Sequence, residues 1–230
     1  MDNEIVTSLV PLGIGFVIYF ALHSLLASLW VKNFVAKHWP TMMPAYRLAF
    51  NVLSVVLLAP LLWITQHNPG PLIWQWQGGW SVFMNGLTLA AIGGFIWSLK
   101  SYDNKVFLGW TQWKNRHHGI NDPEQMHIST LHRFVRHPWY FFILVILWTQ
   151  NMHLANLVTY SLISLYLIIG SRLEERKLIE FYGEAYRQYC KCVSGLIPLP
   201  WRWLSENEAV ELAQMAKKHK RQGQDGKQVK

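Results

Sequence analysis

Three stretches of this chain, residues 1–31, 48–99 and 137–171, contain neither lysine nor arginine. All 21 basic residues lie between or after them: three in 32–47, six in 100–136 and twelve in 172–230. Within the charge-poor stretches run apolar segments near the length of about 20 residues that a membrane helix needs. Leu9–Val31, Leu48–Ile64 and Val82–Leu99 are such segments. A further apolar region, Trp139 to Ser171, is broken by Thr149-Gln150-Asn151-Met152-His153. It is too long for one span and short for two. The expectation is a tight helical hairpin, Trp139–Trp148 and Leu154–Ser171, whose turn barely reaches the far interface.

Basic residues collect on the cytoplasmic side of membrane proteins. With five spans and an external N-terminus, every Lys and Arg becomes cytoplasmic, while the uncharged loop 65–81, with Trp74, Trp76 and Trp80, faces out. The expected class is therefore an all-α, polytopic membrane helix bundle with its C-terminus inside, of the kind found in a bacterial inner membrane. Composition agrees: 51% of residues are hydrophobic and 15% charged, against about 25% charged in soluble domains. Thirteen tryptophans suit a bilayer interface. The net charge of +8 does not point to nucleic acid, because it is confined to a few segments. The acidic start, Met1 to Glu4, lacks the features of a cleavable signal peptide.

At 230 residues the chain has room for one compact unit. The expectation is a single membrane-embedded domain over 1–204, followed by a polar tail, 205–230, that forms a short frayed helix and then loses order. Before that tail, Arg172 to Tyr189 continues with helical spacing that places Leu173, Ile179, Tyr182, Tyr186 and Tyr189 on one broad face. Trp201-Arg202-Trp203 reads as an interfacial anchor. Cys190 and Cys192, one residue apart in a cytoplasmic segment, are expected to stay reduced.

Polar chemistry concentrates in two places. The first is Arg133-Phe134-Val135-Arg136-His137-Pro138-Trp139-Tyr140, at the mouth of the fourth helix. Pro138 suits a first helical turn, and a helix start beside Arg136 and His137 is suited to a carboxylate or phosphate. The second is Arg172-Leu173-Glu174-Glu175-Arg176-Lys177, where the fifth helix leaves the membrane. A hairpin returns both clusters to one membrane face, so that Glu174 or Glu175 can meet Arg136 and His137. Each cluster alone also reads as an ordinary charged membrane border. Elsewhere, His23 and Asn51 stand among apolar neighbours, and Asn51 lies one turn after Arg47. His117, His118, His127 and His132 crowd the loop 100–138 without metal-ligand spacing, and no metal site is expected.

Arg136-His137-Pro138-Trp139-Tyr140, Glu174-Glu175, Phe181-Tyr182-Gly183-Glu184-Ala185-Tyr186-Arg187-Gln188-Tyr189 and Ile197-Pro198 resemble, in order and spacing, the C-terminal half of the isoprenylcysteine carboxyl methyltransferase-like membrane methyltransferases. The N-terminal half, with His23-Ser24-Leu25-Leu26-Ala27-Ser28 and Tyr46-Arg47-Leu48-Ala49-Phe50-Asn51, is more loosely similar to the bacterial methanethiol S-methyltransferase-like and NnrU-like branches. The resemblance implies S-adenosylmethionine as cofactor, bound in roughly residues 100–200 at the cytoplasmic helix ends. His137, Pro138, Tyr140 and Glu174 would hold it. A small or lipid-like methyl acceptor, a thiol or a carboxylate, would arrive from the bilayer or its surface. Arg136 and Arg172 are the candidate catalytic cations, since a nearby positive charge favours thiolate.

Some positions depart from the family pattern. Thr130 and His132 stand where Gly and Tyr are usual, Phe142 where a small residue is usual, and Gly170 where an arginine precedes the key glutamate in lipid-cysteine members. Two alternatives stay open. One is an NADPH-dependent sterol- or enone-type membrane reductase, which usually carries Asn at the place of Trp139. The other is a non-catalytic membrane scaffold with a decayed site.

Overall fold

The computed structural model describes residues 3–101, 103–117, 119, 126 and 128–228. In chain order the helices are α1 (Asn3–Ala27), α2 (Leu29–His38), α3 (Met43–His67), α4 (Gly78–Ser98), the short α5 (Asn104–Leu108) and α6 (Trp110–Lys114), α7 (Pro138–Trp148), α8 (Leu154–Tyr182), α9 (Glu184–Cys192) and α10 (Glu206–Gln228). Two short strands, β1 (Leu72–Trp74) and β2 (Met152–His153), pair antiparallel.

Among the described residues, four helices are long and apolar enough to cross a membrane, within Leu9–Ala27, Pro40–His67, Gly78–Ser98 and Leu154–Tyr182. Their apolar side chains are largely not packed against protein: Val55 is 68% exposed and Val82 74%. Continuous apolar exposure on this scale is untenable in water, and in lipid it costs nothing. The expected all-α polytopic membrane bundle is what forms. The fifth apolar helix, α7, has 11 residues, about 16 Å of helix against a hydrocarbon core of about 30 Å. It is a half-length element beside a 29-residue α8.

The chain divides into two compact units, 1–86 with 102–122 and 149–164, and 87–101 with 123–148 and 165–230. In the first, Leu12 and Phe16 of α1 and Ala155 of α8 form a small core, closed by Leu58 and Leu61 of α3. Hydroxyl oxygens of buried Thr65 and Thr159 lie 3.1 Å apart, and Thr65 donates to Leu61 O at 2.9 Å, so neither polar group is stranded. The His23 ring lies 4.9 Å from that of Phe50, tilted by 49°. Arg47 and Asn51 do share a face of α3, and what they receive is backbone. Arg47 Nη1 donates to Val106 O, and Asn51 Nδ2 donates to the carbonyls of Phe107 and Leu108, each at 3.2 Å.

In the second unit, Tyr182, Tyr186 and Tyr189 pack with Val193, Leu204, Leu212 and Ala216. The helix expected to continue through Tyr189 stops at Tyr182, because Gly183 takes φ 60° and ψ −132°, a conformation open to glycine alone. Leu173 is exposed and does not join the tyrosine face as expected: it lies nine residues before Tyr182 on α8, about 180° around the helix. Residues 206–228, expected to form a short frayed helix and then lose order, form the 23-residue helix α10. Its Ala209, Leu212 and Ala216 are buried.

Candidate functional site

Residues 133–137 run alongside the end of α9. Arg136 N–H donates to Ser194 O at 2.8 Å and His137 N–H to Gly195 O at 3.0 Å, around a parallel bridge between Val135 and Ser194. This pairing fixes the approach to α7. Pro138 then starts that helix, buried, where its missing N–H is harmless.

Arg136 is wholly engaged by protein. Its Nε donates to Glu175 Oε1 at 2.9 Å, and its Nη2 lies 2.8 Å from the same oxygen. Its Nη1 donates to the carbonyls of Cys190 and Val193. Arg202 donates to Cys190 O and Lys191 O, both at 2.7 Å. Two guanidiniums thus satisfy the carbonyls at the C-terminal end of α9, where the helix dipole is negative.

His137 is 7% exposed and bracketed by the acidic pair. Its Nε2 is 3.1 Å from Glu175 Oε1, and its Nδ1 is 3.5 Å from Glu174 Oε2. The ring of Tyr140 stacks on the imidazole, with centroids 5.3 Å apart and planes within 8°. The two carboxylates differ in setting: the Glu175 side chain is 18% exposed and that of Glu174 50%. Successive helix residues sit about 100° apart, so one points inward and its neighbour outward.

The structure therefore brings together Arg136, His137, Pro138, Tyr140 and Glu174 from the expected set. Arg172 is exposed and takes no part in the network. Glu175, Ser194 and Gly195 join it unexpectedly. A methyl group placed on Gly195 would lie 3.2 Å from Arg136 Nη2 and 3.5 Å from Glu175 Oε1. The Ser194 hydroxyl is buried, with no hydrogen-bond partner among the described residues. Nothing in the sequence distinguished Ser194-Gly195 from any short loop. His118 and His127 lie outside the described residues, and His132 Nδ1 bonds the Ser129 hydroxyl at 2.7 Å.

Burial dominates the electrostatics at the edge of the site. It pushes the Cys190 thiol up, with the Arg136 guanidinium opposing, and raises the Tyr186 phenol, helped by the charges of Cys190 and Glu175. A cleft of about 410 Å³ lies in the same unit. Ser129, Thr130 and Arg133 line one side, and Glu206, Ala209 and Val210 of α10 the other. None of Arg136, His137, Tyr140 or Glu174 lines it.

No family model matches the chain, and no solved structure matches it. Several relatives are methanethiol S-methyltransferases by name. A methanethiol S-methyltransferase of Bradyrhizobium diazoefficiens is 38% identical over 81 residues, which cover 35% of this chain and 28% of that protein. Methanethiol S-methyltransferases of a Pseudomonas species and of Crocosphaera subtropica are 28% and 27% identical, over 79% and 86% of this chain and 70% and 77% of theirs. The local likeness to the first of these spans under a third of that relative's length, and the likeness over most of the chain is distant. All three are named for methyl transfer.

Proposed function

We propose that the chain is a membrane methyltransferase that uses S-adenosylmethionine and methylates a small thiol of the methanethiol class. The observation that carries this reading is the stacked His137–Tyr140 pair bracketed by Glu174 and Glu175 at the start of α7.

The residues present fit such a donor. Glu174 is half-exposed beside a buried imidazole, and a carboxylate there suits an ammonium group or ribose hydroxyls. The face of Tyr140 suits a sulfonium charge. The buried, unpartnered Ser194 hydroxyl leaves one more polar group to be satisfied. S-adenosylmethionine supplies an electrophilic methyl group when bound. The chain's part is positioning and exclusion of water. Glu175 neutralises Arg136 and accepts from His137, which keeps the imidazole in one orientation over Tyr140. Arg136 in turn ties that assembly to the end of α9. Arg172, exposed one turn before Glu175, is the cation left to favour thiolate in an arriving acceptor.

The test is calorimetric binding of S-adenosylmethionine to the detergent-purified chain, wild type and Glu174→Gln, with NADPH as a control. Binding by the wild type that weakens about tenfold or more in the variant, as expected for losing a charge-assisted contact, supports the reading. A wild type that binds no methyl donor sinks it. Release of dimethyl sulfide from methanethiol then separates this acceptor from lipid-like ones.

A further inference from the structure

The segments that flank the first turns of α3 carry a surface that the methyl-transfer reading does not use. α2 has no buried residue, and its Trp30 and Phe34 are exposed, as are Trp39 and Met42 just after it. On the other flank, α5 and α6 present Phe107, Leu108, Trp110 and Trp113, each close to half exposed. These aromatics are held in place. Arg47 and Asn51 grip the carbonyls of Val106, Phe107 and Leu108. Between the two short helices, Gly109 at φ 89° packs so tightly that an added methyl would lie 2.6 Å from Leu48 N.

Charge on the same segments is predominantly positive. Residues 29–47 contain Lys32, Lys37 and Arg47 and no acid. Residues 103–117 contain Lys105, Lys114 and Arg116 against Asp103, whose carboxylate caps α5 by accepting from the N–H groups of Lys105 and Val106. Lys37, Lys105, Lys114 and Arg116 are exposed. The combination lies where α3, an apolar helix of spanning length, begins, which is at a bilayer surface. Exposed aromatics beside a cationic fringe match the headgroup layer, aromatic rings at the glycerol level and cations at the phosphates.

We propose that this collar is a binding surface for anionic phospholipid headgroups, with the α5–α6 pair as its clamped half. The charge complementarity selects an anionic lipid over a zwitterionic one. It also selects against a second copy of this chain, whose collar would carry the same positive charge.

The test titrates the purified full chain, in a neutral detergent, with dioleoylphosphatidylglycerol or dioleoylphosphatidylcholine and reads bound lipid by native mass spectrometry. The wild type should retain phosphatidylglycerol in preference. The variant K105Q/K114Q/R116Q should bind it about fivefold more weakly for each cation that contacts a headgroup, with phosphatidylcholine binding unchanged as the control for folding. Higher salt should narrow the difference. Equal retention of both lipids by the wild type overturns the proposal, as does a variant that keeps the preference. A dimer that dissociates in the variant would assign the surface to a second copy instead.

Discussion

At the scale of single residues, the acidic pair shows how two neighbours of identical chemistry acquire different work. Glu175 is the partner of Arg136, whose side chain is 10% exposed. Removing the carboxylate strands a nearly buried guanidinium. Glu175→Ala should therefore cost on the order of 3 kcal/mol of stability, read as a lowered denaturation midpoint in detergent. Glu174 is half in solvent, and Glu174→Ala should cost under about 1 kcal/mol. Equal effects of the two would show that the pair is not divided in this way. A second residue-scale outcome concerns the thiols. Burial raises the Cys190 thiol, so at neutral pH it stays protonated and a poor nucleophile, while Cys192 is exposed. Brief iodoacetamide treatment with peptide mass mapping should find Cys192 modified first. The reverse order would refute the burial argument.

At the scale of elements, the break between α8 and α9 rests on one residue. Gly183 occupies φ 60°, ψ −132°, a region that costs a non-glycine residue about 1–3 kcal/mol. Gly183→Ala should lower stability by that amount and loosen the tyrosine core that α9 presents. A melting curve indistinguishable from wild type would mean that the turn relaxes at no cost. The sequence left this break unread because apolar spacing is helical on both sides of it, and a glycine within a helical pattern is tolerated as often as it terminates one. The helix there was expected, but the length of α10 escaped for a different reason. Its buried face is built from Ala209, Leu212 and Ala216, and alanines add little hydrophobic signal to a polar segment. The signal that was present is local: Ser205 N–H and Oγ both donate to Glu208 Oε2, and Glu208 N–H donates to Ser205 Oγ. That is a capping box spelled Ser-x-x-Glu. The meeting of Arg136 and His137 with the acidic pair was legible, because hairpin length fixes where the chain returns. Which glutamate turns inward was not, because that depends on the rotation of α8.

At the scale of the whole molecule, the half-length α7 raises the question of how many times the chain crosses the membrane, and the contacts bear on it. Leu72 pairs with His153, and Leu154 N–H donates to Pro71 O at 3.0 Å. The loop 65–81 and the turn 149–153 therefore share one membrane face. From Leu154 to Glu175, α8 advances about 31 Å at 1.5 Å per residue, the thickness of the hydrocarbon core, and arrives at Arg136 and His137. A helix of that length crosses a bilayer once, and α7 alone is too short to do so. We propose five crossings, a count that would put the twelve basic residues of 172–230 on the same side as those of 32–47 and 100–136. Counting four would put them on the opposite side, against the charge bias of membrane insertion. A fluorescent-protein fusion at the C-terminus should therefore be bright and a phosphatase fusion there inactive, with phosphatase active when inserted at Asn68. A bright, phosphatase-inactive Asn68 insertion paired with an active C-terminal phosphatase would invert the orientation. Activity at both sites would break the count of five.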